Sequence, residues 1–215
     1  MTTTRDGSPV PVYLAAAPGD TAEVCLAVAP PPATVLELGA GAGRETRPLL
    51  ACGYDVTAVD DSPAMLEHVT GARTVEADLF TLALGDRFDL VLGGSHFVDD
   101  ADPARRAALY ATCARHVAAD GAVLLERYDP DWVADPATYR GTAGPVQIDF
   151  EVLRREGDDV DARLVYRLAG RSWTQEFRFT KVTPASVDAE ARAHGLTVVA
   201  VHGDDDTWLE LRPIP

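Results

Sequence analysis

Short apolar runs alternate with segments of helical spacing over the first 126 residues of the chain. The runs are rich in Val, Leu and Ala, and most are as apolar as a strand that is buried on both faces. Strands that alternate with helices predict a doubly wound, mostly parallel α/β sheet. The five predicted strands span 34–38, 55–60, 73–76, 87–92 and 122–126.

The pattern changes after residue 126, where residues 127–144 are loop-like. Three runs of alternating polar and apolar residues follow, separated by turn residues, and they predict a small antiparallel insert. A tight turn between the last two strands makes one of them antiparallel to the rest of the sheet. The runs of the insert are 146–155, 161–168 and 172–181, and the chain ends with a helix at 184–194 and strands at 196–201 and 207–211.

A glycine-rich loop follows the first strand and carries the clearest chemical signal. Gly39, Gly41 and Gly43 alternate there, and glycine allows positive φ and close approach of a ligand to the backbone. The next helix presents unpaired N–H groups at its N-terminus. A nicotinamide-binding loop would place a glycine at Arg44, and Glu37 would repel a pyrophosphate. A carboxylate at Glu37 could instead accept hydrogen bonds from a cationic amino group.

The second strand ends in an acid, Asp60. It lies about 20 residues beyond the first glycine, which is the usual spacing to a ribose-binding carboxylate in dinucleotide-type folds. A carboxylate at that position can accept two hydrogen bonds from a ribose diol.

Residues 35–69 resemble the cofactor-binding part of class I S-adenosylmethionine-dependent methyltransferases. The matching features are Glu37-x-Gly39-x-Gly41-x-Gly43, the acid at Asp60 and the run 61–66. The resemblance implies a Rossmann-like sheet of order 3-2-1-4-5-7-6 with strand 7 antiparallel. It also implies S-adenosyl-L-methionine as cofactor and S-adenosyl-L-homocysteine as product.

The family's pattern also implies roles for individual residues. Asp78 would contact the adenine amino group, or would only cap a turn, and Leu79 would pack on the adenine ring. Tyr13 would close over the methionine end of the cofactor, or would only pack the N-terminal segment onto the core. The residues expected to contact the cofactor are Tyr13, Glu37, Gly39, Gly41, Gly43, Arg44, Asp60, Asp61, Met65, Asp78, Leu79 and Gly94.

The loop that follows the fourth strand should lie beside the reacting methyl group, because ligands bind outside the carboxyl ends of strands in open α/β sheets. It contains Ser95 and His96. His96 is the candidate base for a hydroxyl or protonated amine acceptor, or a loop histidine that only packs.

Aromatic and charged residues after the fifth strand are further candidates for the substrate side. Tyr128, Trp132 and Trp173 could line a substrate cavity, although the alternation around Trp173 also suits ordinary sheet packing. Carboxylates beside Tyr128 could hold an ammonium group and Arg127 a carboxylate, or the segment could be a solvated loop.

The resemblance implies a single methyltransferase domain of the bacterial small-molecule type. The antiparallel insert would roof the substrate pocket, and the polar, proline-containing residues 1–19 would form an extended arm. The expected parts are an arm and helix at 1–32, a cofactor-binding core at 33–127, the insert at 145–182, and the last helix and strand pair at 183–215.

Composition narrows the classes of partner and location. The net charge of −15 over 215 residues disfavours nucleic acid, since phosphates require a basic surface. Apolar runs are shorter than a membrane span, so we expect a cytoplasmic monomer or homodimer without membrane contact. The three cysteines and the scattered histidines have no metal-site spacing.

The function expected from these features is N- or O-methylation of a small molecule. One alternative is an enzyme that uses S-adenosylmethionine in another type of reaction, such as a cyclase. Another is a non-catalytic protein that binds the cofactor. The fold does not separate these possibilities, because function is determined by the site.

Overall fold

A seven-stranded, mostly parallel sheet forms the centre of the computed structural model, which describes residues 3–5 and 7–215. The predicted strand order is confirmed: in the structure's own numbering it is β3-β2-β1-β4-β5-β11-β10, and β11 is antiparallel to both of its neighbours. These strands are β1 (Thr34–Leu38), β2 (Asp55–Asp60), β3 (Arg73–Glu76), β4 (Phe88–Gly93), β5 (Val117–Glu126), β10 (Leu196–His202) and β11 (Trp208–Pro213).

The central strand β1 pairs in parallel with β2 on one side and β4 on the other. Its residues alternate between two apolar layers: Val35 packs in one and Leu36 in the other, and both are fully buried. A strand covered on both faces must be apolar on both faces, which explains the nearly continuous apolar run in the sequence.

Helices cover both faces of this sheet. Helices α2 and α3 pack on one face, and α5 and α7 on the other. Arg106 of α5 donates two hydrogen bonds to Glu190 of α7, at 2.9 and 2.6 Å, and so joins the two helices of that layer. The helices are α1 (Val10–Ala15), α2 (Thr21–Val28), α3 (Thr46–Cys52), α4 (Pro63–Leu66), α5 (Pro103–His116), α6 (Pro130–Ala134) and α7 (Pro184–Ala191).

The antiparallel insert has four strands, where the sequence predicted three. The additional strand is β6, within the segment predicted to be a loop. Its short run contains Gly141 and lacks clear alternation, so only its pairing with β7 identifies it. The strands are β6 (Tyr139–Ala143), β7 (Val146–Glu156), β8 (Asp159–Leu168) and β9 (Arg171–Thr180).

Two further local predictions need correction. The arm predicted to be extended contains α1, whose Val12 is buried against Val146 and Tyr166 of the insert; residues 1, 2 and 6 of that arm lie outside the described residues. The segment after β5, predicted to be loop-like, forms α6, and the Asp129 side chain accepts hydrogen bonds from the first-turn N–H groups of this helix.

Within residues 3–5 and 7–215, no helix has both the length and the apolar character needed to cross a membrane.

Truncation of a central side chain should measure how much the sheet contributes to stability. We expect Leu36→Ala to lower the free energy of unfolding by about 2–5 kcal/mol, because Leu36 is fully buried and its loss leaves a cavity. Urea denaturation checks this. Leu153→Ala is the control, since Leu153 is 46% exposed and should change stability by less than about 0.5 kcal/mol.

Candidate active site

A cavity of about 870 Å³ lies between the carboxyl ends of the parallel strands and the inner face of the insert. Its size suits a ligand as large as a nucleoside with a second molecule beside it. Most of the residues predicted from the sequence line it. These are Tyr13, Glu37, Gly39, Gly41, Arg44, Asp60, Asp61, Met65, Asp78, Leu79, Gly94, Ser95, His96 and Tyr128.

The glycine loop bends sharply at the end of β1. Gly39 and Gly41 have φ of 70° and 55°, in the left-handed region that favours glycine. The ring of Phe97 lies directly above Gly39, where a Cβ atom would be 2.4 Å from it. The backbone of this loop therefore forms part of the cavity wall.

Glu37 is a buried carboxyl group at the floor of the cavity, 4% exposed. Its Oε2 accepts a hydrogen bond from the Thr46 hydroxyl at 2.6 Å. Burial raises the pKa of Glu37 to about 8, and the nearby charge of Glu45 acts in the same direction. A cationic amino group bound here would favour the ionised form, so the residue fits the methionine end of S-adenosylmethionine.

Asp60 ties the glycine loop to the end of β2. Its Oδ2 accepts from the Gly41 N–H at 2.8 Å, and its Oδ1 accepts from the Ser62 N–H at 2.9 Å. A carboxylate oxygen has two lone pairs, so these bonds are compatible with further bonds to ribose hydroxyls.

The groups expected around the adenine and around the amino-acid end all line the cavity. Asp78 accepts a hydrogen bond from the Phe80 N–H at 2.8 Å, beside the buried Leu79. Arg44 forms an ion pair with Glu45 at 3.2 Å, and Tyr13 packs with Met65 near the glycine loop. This set of carboxylates and apolar surfaces fits the cofactor implied by the resemblance.

The loop after β4 holds His96 at the junction between the cofactor side and the insert. Ser95 and His96 both have φ of 60°, an uncommon conformation for residues with a side chain. Glu126 fixes the loop, because its Oε2 accepts the Ser95 N–H at 2.6 Å. Backbone strain that is held in place by a specific contact is a feature of functional sites.

His96 stacks on Tyr128, with ring centroids 4.0 Å apart and planes inclined by 15°. Its Nδ1 is buried and has no hydrogen-bond partner among the described residues. Burial lowers the pKa of His96, and the charge of Glu126 only partly opposes this effect. The imidazole is therefore neutral at neutral pH and can accept a proton.

Some sequence-predicted residues do not line the cavity. A Cβ at Gly43 would meet Val69 and Thr46, so this glycine faces the protein interior and not the cavity. Trp132 packs in the cluster of Phe150 and Phe179, and Trp173 packs beside Val146 and Tyr166. Arg127 does not hold a ligand carboxylate, because its buried guanidinium donates to the backbone oxygens of Asp206 and Val182.

The structure adds residues that sequence reasoning did not select. Asp99 is buried at the cavity wall. In the sequence it is only one of several acids in the run 99–102, and nothing there distinguishes it from the others. The aromatic residues on the inner face of the insert occupy alternate positions along its strands. This alternation is the only feature of the sequence that could have identified them. They include Tyr139, Phe150, Tyr166, Phe177 and Phe179.

No group of three or more His, Cys, Asp or Glu side chains within the described chain is arranged to hold a metal ion.

Comparison with protein families bears on the type of domain. Residues 35–121 match the family model described as a methyltransferase domain. No curated protein matches the sequence. The match agrees with the resemblance seen in the sequence and supports S-adenosylmethionine as the cofactor.

Solved methyltransferase structures share the whole fold. The CcbJ methyltransferase from Streptomyces caelestis is 20% identical, with a TM-score of 0.78 over 99% of both chains. The sugar N-methyltransferase KedS8 from Streptoalloteichus sp. is 21% identical, with a TM-score of 0.70 over 90% of this chain and 85% of that one. CalS10 from Micromonospora echinaspora, an amino pentose methyltransferase, is 24% identical, with a TM-score of 0.67 over 89% and 88%.

The close contact between Gly39 and Phe97 generates a prediction. We expect Gly39→Ala to weaken binding of S-adenosylhomocysteine at least about tenfold, since the left-handed backbone and the displaced ring each cost about 1 kcal/mol or more. Calorimetric titration measures this. Gly85→Ala is the control, because a Cβ there meets nothing within 4 Å. Equal affinities of the two variants would contradict the assignment of the loop.

The buried carboxyl group of Glu37 should make stability depend on pH. Folding raises its pKa from 4.5 to about 8. Between these two pH values the folded state therefore binds more protons than the unfolded state. The stability that neutral Glu37 contributes is full below the lower pKa and is lost as pH rises through the higher one. We expect Glu37→Gln to remove this loss, which amounts to at most about 1.4 kcal/mol per pH unit.

Urea denaturation of the cofactor-free protein across the pH range measures this difference. Glu67→Gln, at an exposed carboxylate, is the control and should leave the pH dependence unchanged. A pH dependence that is the same in wild type and Glu37→Gln would show that Glu37 is ionised in the folded protein.

Proposed function

We propose that this chain transfers the methyl group of S-adenosylmethionine to a nitrogen or oxygen atom of a small molecule. The observation that carries the proposal is that His96, stacked on Tyr128, lines the same cavity as Glu37, Asp60 and the aromatic residues of the insert. We take the insert, with the preceding segment, as the roof of the acceptor site. Residues 33–127 provide the cofactor-binding core, and the segments 1–32 and 183–215 complete the domain.

S-adenosylmethionine supplies an electrophilic methyl group on a sulfonium, whose sulfur keeps the bonding electrons when the methyl group leaves. The chain must hold the acceptor atom in line with that methyl group, at about 3 Å, and keep water away. Tyr128 stacks on His96 and fixes its ring. The neutral imidazole takes the proton from the acceptor atom, which then carries its lone pair to the methyl carbon.

The related structures support a small acceptor. Two of them are named for methylation of a sugar nitrogen and of an amino pentose. A third is named a glycopeptide N-methyltransferase; it is 24% identical, with a TM-score of 0.64. Nitrogen is therefore the first acceptor atom to test.

The cytoplasm is the location we propose. All three cysteines are free, and two of them, Cys25 and Cys113, are buried. Unpaired buried thiols suit a reducing compartment.

Methyl transfer and the role of His96 can be tested together. The purified protein should bind S-adenosylhomocysteine in a calorimeter and methylate amines or alcohols from a small-molecule panel. We expect His96→Gln to lower kcat about 10²–10⁴-fold, because general-base catalysis contributes that much, while affinity for S-adenosylhomocysteine changes less than about twofold. In the wild type, kcat should fall on the acidic side of its pH profile with a pKa below the usual histidine range. This fall should be absent in the variant.

His68→Gln is the matched control, since His68 lies beside Glu67 and does not line the cavity. Retention of full activity by His96→Gln at every pH would exclude His96 as the base. Cofactor binding without methylation of any acceptor would instead favour another type of reaction or a binding protein.

A further inference from the structure

The two sides of the cavity differ in chemistry. The cofactor side carries the carboxyl groups already described, whereas the side under the insert is mainly aromatic. Tyr128 lies 4.5 Å from Phe179 between ring centroids, and Tyr139 stacks on Phe150 at 5.4 Å. Tyr13 and Tyr166 face each other at 6.5 Å on the other flank. Such surfaces suit an apolar body and, through their ring faces, a cation.

The arginines at the cavity wall are mostly engaged by carboxylates. Arg44 pairs with Glu45 at 3.2 Å, Arg105 with Asp100 at 2.5 Å, and Arg178 with Asp159 at 2.9 Å. The fourth arginine, Arg5, is an exposed residue of the N-terminal segment. A phosphate group requires donors that are free to form charge-assisted hydrogen bonds, and this wall does not offer a cluster of them.

Asp99 presents the opposite situation, a buried carboxyl group of which one oxygen has no donor among the described residues. It ends a single 3₁₀ turn over Phe97–Asp99, is 1% exposed, and lines the cavity. Its Oδ2 accepts the Tyr128 N–H at 3.1 Å. Its Oδ1 is buried and finds no hydrogen-bond partner in the part of the chain that the structure describes. Such an oxygen costs free energy until a donor reaches it.

We propose that the acceptor is an unphosphorylated amine that enters as an ammonium ion, donates an N–H to Asp99 Oδ1, and rests its apolar body on the aromatic inner face of the insert. The proposal rests on the methyltransferase function and names the substrate class of that site. The negative charge of Glu126, which holds the adjacent loop through Ser95, favours a cation in the same corner. A phosphorylated substrate would add negative charge beside these carboxyl groups.

Electrostatics is consistent with this geometry. Burial raises the pKa of Asp99 well above its usual range, although the hydrogen bond from the Tyr128 N–H and the charge of Arg127 act in the opposite direction. A bound ammonium would likewise favour the ionised carboxylate and oppose the effect of burial. For reaction, the ammonium gives one proton to His96; the free nitrogen lone pair then forms the N–C bond while the C–S bond breaks, and the methylated product carries the positive charge.

Competing probes can test the substrate class directly. Calorimetric titrations of the protein saturated with S-adenosylhomocysteine would use phenethylamine, benzylamine and cyclohexylamine, together with 2-phenylethanol and phenyl phosphate. We expect at least one amine to bind about tenfold or more tightly than the alcohol and the phosphate, the size of one charge-assisted hydrogen bond. Tightest binding of phenyl phosphate, or no binding of any amine to the loaded protein, would overturn the proposal.

The second arm uses Asp99→Asn, which keeps an oxygen for the Tyr128 N–H and removes the charge. Amine affinity should fall about tenfold, to that of the alcohol, while affinity for S-adenosylhomocysteine stays within about twofold. Asp86→Asn is the control, since its carboxylate is exposed and pairs with Arg73. Unchanged amine affinity, or equal losses for amine and S-adenosylhomocysteine, would show that Asp99 has only a structural role.

Failure of the inference and failure of the proposed function give different results. If the chain does not bind S-adenosylhomocysteine at all, the proposed function itself is wrong. If it binds S-adenosylhomocysteine and methylates an alcohol or a phosphorylated acceptor in preference to amines, the function holds and the substrate class inferred from Asp99 is wrong.

Discussion

The parallel pairing of β1 with β2 and β4 is the constraint on which the site depends. Parallel strands bring their carboxyl ends to one edge, so three loops that are distant in the sequence meet there. The hydrogen bond from the Gly41 N–H to Asp60 ties the first loop to the second, and Phe97 of the third packs over Gly39. Each loop thus holds its neighbour in the conformation that shapes the cavity.

The site has an electrostatic cost that ligands can relieve. Glu37 and Asp99 are both buried carboxyl groups whose pKa is raised by desolvation. Both line one cavity, and neither has a cationic partner in hydrogen-bond contact within the described chain. A cationic amino group at either end would favour the ionised carboxylate. The protein without ligands bears the free-energy cost of burying these two carboxyl groups. Ligand binding relieves that cost, and the free energy gained can position both ligands.

The insert is connected to the core at the same place where the acceptor would bind. A β-bridge joins Asp100 to Phe179, and the Tyr128 ring contacts both His96 and Phe179. Helix α1 closes the opposite flank through Val12, which packs on Val146. The position of the insert is therefore coupled to the geometry of the His96 loop by direct side-chain packing.

The apolar runs predicted the strands of a parallel sheet, and the family resemblance carried by the glycine loop and Asp60 implied the strand order and the cofactor class. Buried parallel strands and positive-φ turns leave strong local patterns, and most residues of the cofactor side therefore appear in the sequence prediction. Other features depend on pairing between distant segments. Strand β6 is recognisable only beside β7, and Arg127 and Trp132 were expected near a ligand but are packed elsewhere.

Asp99 shows most clearly what tertiary structure alone decided. In the sequence it is one acid among several polar residues after the fourth strand, whereas in the fold a short turn buries it beneath Tyr128. Burial and the absence of a donor to Oδ1 in the described chain arise from contacts between segments 29 residues apart. The residue type is encoded locally, but its solvation, and hence its chemistry, is set by the neighbours that the fold brings to it.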